Sequence, residues 1–175
     1  MSKKDFEDFL DSHKESAVEQ PIDWDLQKQE WLDFIKQFYS CVSLWLEPYV
    51  KNEKIKLDYK KIELTEDYIG RYETQVMVIE FAKQQITLTP IGTLLIGTKG
   101  RIDMEGARGR VQFILADKDS KGIKISISIG GEPKTEEVKI PEWTWKIVLR
   151  EPRKISYEDL NEENFFNALM EVANG

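Results

Sequence analysis

Residues 42–60, VSLWLEPYVKNEKIKLDYK, contain the change of pattern that decides the fold. Before Pro48 the apolar residues recur at steps of three and four, whereas after it Ile55, Leu57 and Tyr59 alternate with charged residues. The first period is that of an α-helix buried along one side, and the second is that of a half-buried β-strand. The chain therefore passes from helix to sheet within this stretch.

The segment before this change predicts a long helix over about 24–47. Its apolar side is wide, as expected for a helix packed on a sheet, and we assign all its tryptophans to that side: Trp24, Trp31 and Trp45. Asp23 is suited to cap the helix at its N-terminus, and Pro48 is expected to end it. A shorter helix is predicted over 4–19.

The segment after the change contains several short runs with strand character. They lie at about 55–60, 72–81, 84–89, 92–96, 99–104, 110–116, 123–129 and 143–149. No helix-length segment separates them, which favours an antiparallel meander over parallel crossovers. The chain closes with a predicted helix in 156–174, for which Asn161 is suited as the N-cap.

These patterns predict an α+β fold. We expect N-terminal helices and a C-terminal helix packed on a strongly bent antiparallel sheet, or partial barrel, of seven to eight strands. The 175 residues suit a single domain, 1–175, with a helical part at 1–50, the sheet at 54–149 and the last helix at 156–174.

The composition narrows the classes of function. One Cys and one His, Cys41 and His13, cannot form an internal disulfide or a structural zinc site. No apolar run is long enough to span a bilayer and the N-terminus lacks a secretory pattern, so we expect a cytoplasmic protein without membrane contact. We also expect no cofactor, no metal and no catalytic residue, and hence a protein that is not an enzyme.

Residues 96–110, IGTKGRIDMEGARGR, carry the main candidate site. The stretch lacks the spacing of a P-loop or a dinucleotide-binding motif, and its favoured interpretation is a hairpin with charged flanks. Residues 68–130 nevertheless carry 6 acids and 9 bases in a chain of net charge −7. The alternative is therefore an anion or nucleic-acid site, whose cationic residues are Lys99, Arg101, Arg108 and Arg110.

Two further groups are candidates for chemistry. Asp103 and Glu105 would share one face of a strand, and a weak carboxylate-based enzyme is the third hypothesis. Trp143 and Trp145 would also share a face, where they could stack on bases or sugars, although a core position is favoured. The loop at 117–122 resembles the start of a calcium loop but has Lys121 at a ligand position, so we interpret it as a turn.

The function that these observations favour is a non-catalytic binding module. The acidic N- and C-terminal parts favour a basic protein partner, as for an adaptor or an immunity-type protein that blocks a basic toxin. A nucleic-acid or phospholigand binder that uses the Gly/Arg-rich hairpin at 97–110 is the alternative.

Overall fold

The computed structural model describes residues 3–8, 22–93, 98–118 and 142–174. Residues 3–8 are helical. The rest of the predicted first helix and the predicted strand at 123–129 lie outside the described residues, as does His13. Most of the predicted strand at 92–96 and most of the predicted turn at 117–122 also lie outside them, although Asp117 and Lys118 are described.

The long helix α1 spans Trp24–Lys51. Its N-cap is Asp23, as predicted, because the Asp23 carboxylate accepts a hydrogen bond from the Leu26 N–H at 3.1 Å. The predicted end at Pro48 was wrong: the helix continues to Lys51, and the Asn52 N–H donates to the Pro48 carbonyl. A proline in the last turn removes only its own N–H and leaves the residues after it free to stay helical.

Within the described residues the sheet is a seven-stranded antiparallel meander in which every strand pairs with its sequence neighbours. The strands are β1 (Lys56–Glu66), β2 (Gly70–Phe81), β3 (Gln84–Gly92), β4 (Gly100–Gly106), β5 (Gly109–Asp117), β6 (Trp143–Glu151) and β7 (Lys154–Asp159). The sheet curls but does not close, so β1 and β7 are its edges. The predicted α+β class with helices on a bent antiparallel sheet is confirmed.

The helices cover one face of this sheet. Gly100 on β4 lies directly against the indole of Trp31 from α1. Because side chains alternate along a strand, Ile102 and Met104 lie on this same face, and both are fully buried. The largest fully buried side chains of the resulting core come from both layers: Trp31, Phe38, Phe113 and Phe165.

The C-terminal part differs from the prediction in one boundary. The first residues of the segment predicted as helix, 156–159, belong to β7, which pairs with β6 through Val148 and Tyr157. The helix α2 spans Glu162–Val172 and is capped by Asn161, as predicted. None of the described helices is long and apolar enough to cross a membrane.

A strained turn joins β2 to β3. Ala82 and Lys83 have φ values of 49° and 61°, the left-handed region that Asn-Gly adopts readily in two-residue hairpins. We expect the double substitution Ala82→Asn and Lys83→Gly to raise the free energy of unfolding by about 1–2 kcal/mol, because it relieves this strain. Urea denaturation would show a higher midpoint at an unchanged slope.

The turn between β4 and β5 offers a matched control. Ala107 and Arg108 occupy the same two positions between paired glycines, Gly106 and Gly109, and neither has a positive φ. The same Asn-Gly pair placed there should give no gain. An equal gain at both turns would show that the effect does not come from backbone strain.

Candidate functional site

The stretch at 97–110 forms a hairpin where the structure describes it. Strands β4 and β5 pair from Gly100 opposite Leu115 to Gly106 opposite Gly109. Arg101, Asp103 and Glu105 alternate with the buried residues of β4, so they lie on the face away from the helices. The predicted hairpin with charged flanks is therefore confirmed.

The charges on this face neutralise one another. Arg101 Nε lies 2.9 Å from Asp103 Oδ1, which makes an ion pair, and Arg101 Nη2 donates a hydrogen bond to Asp103 Oδ2 at 3.4 Å. Arg110 lies 3.0 Å from Glu105 and 3.5 Å from Asp103. Two of the predicted anion-binding cations are thus already paired with carboxylates.

Asp103 is a buried carboxylate, with only 2% of its surface exposed. Burial raises the pKa of its carboxyl group above the ordinary value, and the guanidinium groups of Arg101 and Arg110 offset only part of that rise. An acid–base role for Asp103 and Glu105 would have to act through side chains that these arginines hold. That role stays an untested hypothesis.

Arg108 lies at the tip of the hairpin. Its backbone N–H donates to the Val172 carbonyl of α2 at 3.0 Å, which docks the tip against the C-terminal helix. In the part of the chain that the structure describes, no carboxylate lies within ion-pair distance of the Arg108 guanidinium. An anion could therefore reach this residue, but the structure does not bring it together with Lys99.

Lys99 lies in a different environment, beside the N-terminal half of α1. Its ammonium is 2.6 Å from a carboxylate oxygen of Glu30. It also lies 5.6 Å from the ring centre of Phe34 and 5.5 Å from that of Trp143, within the range of cation–π attraction. Since one carboxylate and two rings already surround it, Lys99 helps to position Trp143 more than it offers a free positive charge.

A cleft with a volume of about 290 Å³ opens next to Lys99. We call it the aromatic cleft; it is lined by Trp24, Gln27, Thr93, Thr98, Lys99 and Trp143. Trp143 and Trp145, which were predicted to share one face of a strand, thus have different roles. Trp145 is buried in the core, with its indole N–H donating to the Phe34 carbonyl, whereas Trp143 forms a wall of the cleft.

Tyr68 extends this aromatic surface. Its ring stacks on Trp24 with centroids 5.1 Å apart and planes 14° from parallel, yet 77% of the residue is exposed. Its φ is 69°, a conformation that costs a bulky residue about 1–2 kcal/mol relative to glycine. The turn therefore holds a large ring in solvent at the expense of backbone strain, a combination typical of functional positions.

A buried polar network supports the cleft from below. The Trp31 indole N–H donates to the Tyr72 hydroxyl at 3.0 Å, and that hydroxyl donates to a carboxylate oxygen of Glu66. The other oxygen of Glu66 accepts from the backbone N–H and hydroxyl of Thr93, at 2.6 and 2.9 Å. Burial, assisted by Glu66, raises the pKa of Tyr72 well above its ordinary value, so the hydroxyl stays protonated and the network fixes Thr93 in the wall.

Larger cavities exist elsewhere but combine fewer such features. The groove between the end of α1 and the β1–β3 ends has a volume of about 690 Å³ and is wide open. It is lined by flexible charged side chains such as Lys54, Lys56 and Lys83, all of them exposed. The aromatic cleft is smaller, but two tryptophans line it, and it adjoins a strained, exposed aromatic side chain. We therefore take it as the candidate site.

The sequence identified only part of this site. Lys99 and Trp143 were singled out, but for different sites, whereas Trp24 was assigned to the buried side of the helix. Tyr68 and Glu30 were not singled out. The available signal was an aromatic residue inside the turn-like segment EDYIG, at 66–70. Comparisons with protein-family models, with curated proteins and with solved structures found no match to this chain.

Proposed function

We propose that this protein is an interaction module that binds a basic protein partner through the surface around Tyr68 and Trp24. One observation carries the proposal: an exposed tyrosine is stacked on a tryptophan and held there by a strained backbone. Tyrosine and tryptophan are the residue types that most often dominate binding energy at protein interfaces.

The charges beside this aromatic pair favour a basic partner. Asp25 follows Trp24 in the helix, with 96% of its side chain exposed, and Asp67 precedes Tyr68 in the turn and is also exposed. An aromatic centre with a charged rim is the usual anatomy of a specific interface. A guanidinium group of the partner could stack on the Tyr68 ring while it meets one of these carboxylates.

The test replaces Tyr68 by Asn, which removes the ring but tolerates the positive φ. In affinity capture from nuclease-treated lysate, we expect the wild-type protein to retain a basic protein. We expect Tyr68→Asn to bind that protein at least about 30-fold more weakly, because interface anchors of this kind contribute about 2 kcal/mol or more. Its thermal stability should stay within about 2 °C of wild type, since the substitution relieves strain as it removes the stacking.

Tyr59→Asn is the matched control, because Tyr59 is an exposed tyrosine on β1, outside the aromatic cleft. It should bind the partner like the wild type. Equal retention by the Tyr68 variant would contradict the proposal. In a parallel capture from lysate without nuclease, retention of nucleic acid that depends on Arg108 would instead favour the alternative function. A retained partner that is acidic would exclude the charge argument.

A further inference from the structure

We propose that the partner presents a proline-containing, extended segment that seats a proline ring in the aromatic cleft and carries an arginine beside it. This inference rests on the proposed function and specifies the part of the partner that is recognised. The shape and lining of the cleft, its unused hydrogen-bond donors and the charges on its rim each contribute to the argument.

The size of the cleft and its two tryptophans suit a small ring. Its volume of about 290 Å³ lies at the lower end of the range for ligand sites, so it takes a side chain or two and not a large cofactor. Trp24 and Trp143 supply flat indole faces. Among the described residues of the lining, Lys99 alone is charged, and its ion pair with Glu30 offsets that charge. A small neutral ring that packs on an indole and leaves polar groups for the threonines and glutamine therefore matches this mixed lining.

Two indole N–H groups of the cleft favour a partner segment whose backbone carbonyls are free to accept hydrogen bonds. The indole N–H groups of Trp31 and Trp145 have acceptors inside the fold. Within the described residues, no acceptor lies within hydrogen-bond distance of the indole N–H of Trp24 or of Trp143. A polyproline II segment leaves all its carbonyls unpaired, so these carbonyls can accept from the two indoles.

The acidic residues beside the cleft would orient the bound segment. Asp25 and Asp67 are the chain neighbours of the stacked Trp24 and Tyr68. Asp25 is exposed and pairs with Lys28 only at 4.0 Å, and Asp67 makes no ion pair within the described part of the chain. An arginine next to the seated proline would reach this acidic rim while its flat guanidinium covers the Tyr68 ring. A segment that combines prolines with a flanking arginine therefore satisfies the cleft, the donors and the rim together.

The test titrates the full-length, nitrogen-15-labelled protein with a synthetic peptide of pattern Arg-x-x-Pro-x-x-Pro and follows the five indole N–H resonances by NMR. We expect the resonances of Trp24 and Trp143 to shift and those of Trp31 and Trp145 to stay. A peptide with both prolines replaced by alanine has the same charge and should bind at least about tenfold more weakly. Replacing its arginine by glutamine should weaken binding by a similar factor.

Two protein variants complete the test. Trp143→Leu and Tyr68→Asn should each lose peptide binding, whereas Tyr59→Asn should retain it; the dispersion of the remaining NMR resonances reports whether each variant is folded. Equal binding of the proline and alanine peptides, or shifts confined to other indoles, would overturn the inference. If a basic partner is captured in a Tyr68-dependent manner while the proline peptide does not bind, the proposed function stands and this inference alone fails.

Discussion

Gly100→Ala is expected to be among the most destabilising single substitutions in the sheet, although it adds only one methyl group. A Cβ at this position would lie less than 3 Å from three ring atoms of Trp31. Trp31 is fully buried and is held by its hydrogen bond to Tyr72, so it cannot move aside. We expect a loss of about 3 kcal/mol or more in the free energy of unfolding, at the upper end of overpacking costs, and urea denaturation would measure it.

Gly70→Ala is the control for this substitution. It adds the same methyl group at a position where backbone strain, and not a packing clash, would destabilise the protein. Gly70 has a φ of 84°, but a Cβ added to it would meet no atom within 4 Å, so the cost should be only about 1 kcal/mol, from backbone strain.

In addition, Trp31→Phe should make room for the methyl group at Gly100. The double variant with Gly100→Ala should therefore lose less than the sum of the two single losses. Strict additivity would contradict the packing explanation.

Arg101→Leu is the second substitution with a large expected effect. It removes the closest cationic partner of Asp103 and leaves a buried carboxylate with only Arg110 at 3.5 Å. Removing one partner of a buried ion pair costs about 3–5 kcal/mol. We expect about 3 kcal/mol at neutral pH, because Arg110 remains, and a fall in melting temperature of roughly 6–12 °C. Thermal denaturation followed by circular dichroism would measure it.

The dependence on pH follows from the direction of the Asp103 shift. Burial raises the pKa of Asp103 in the folded protein above its unfolded value, so ionisation of this group disfavours the folded state. The contribution is most favourable at low pH and is lost as the pH rises through the folded pKa. Without Arg101 the pKa rises further, so the deficit of the variant should be largest at neutral pH and should shrink on acidification.

Asp103→Asn provides the decisive control in the same pair. Asn resembles the protonated carboxyl group and carries no charge, so the double variant with Arg101→Leu should recover much of the stability lost at neutral pH. Its deficit should also no longer depend on pH through this group. If the double variant is as unstable as Arg101→Leu alone at every pH, packing of the Arg101 side chain and not its charge is the cause.

Sequence patterns predicted the elements that local physics controls. The helix period and the capping residues Asp23 and Asn161 were visible because burial on one side of a helix and N-terminal capping act within a few residues. Strand β7 was missed, since its Ser, Glu and Asp residues are also common at helix N-termini. The strand conformation of β7 comes from its pairing with β6, to which the turn at Pro152 connects it. This pairing cannot be predicted from the spacing of apolar residues within β7.

The candidate site depended on distant contacts, so the sequence could not assemble it. Lys99 was predicted as a free cation, yet the fold brings it to Glu30, which lies on α1. Trp24 was predicted to belong to the buried helix side, but the helix begins at the edge of the core, where Tyr68 reaches it. Neither the Lys99–Glu30 ion pair nor the Trp24–Tyr68 stack can be predicted from residue type or from spacing along the chain.

By itself, the sequence determined the class of fold, the long helix, the meander and the hairpin with charged flanks. These follow from periodicity, short connections and cross-strand neighbours, which are properties of residues close along the chain or in adjacent strands. The tertiary structure alone decided which cations are already paired, that Asp103 is buried, that Trp24 and Trp143 line one cleft, and that Tyr68 stacks on Trp24 beside it. Those features depend on how the helix lies across the sheet, and hence on packing between segments far apart in sequence.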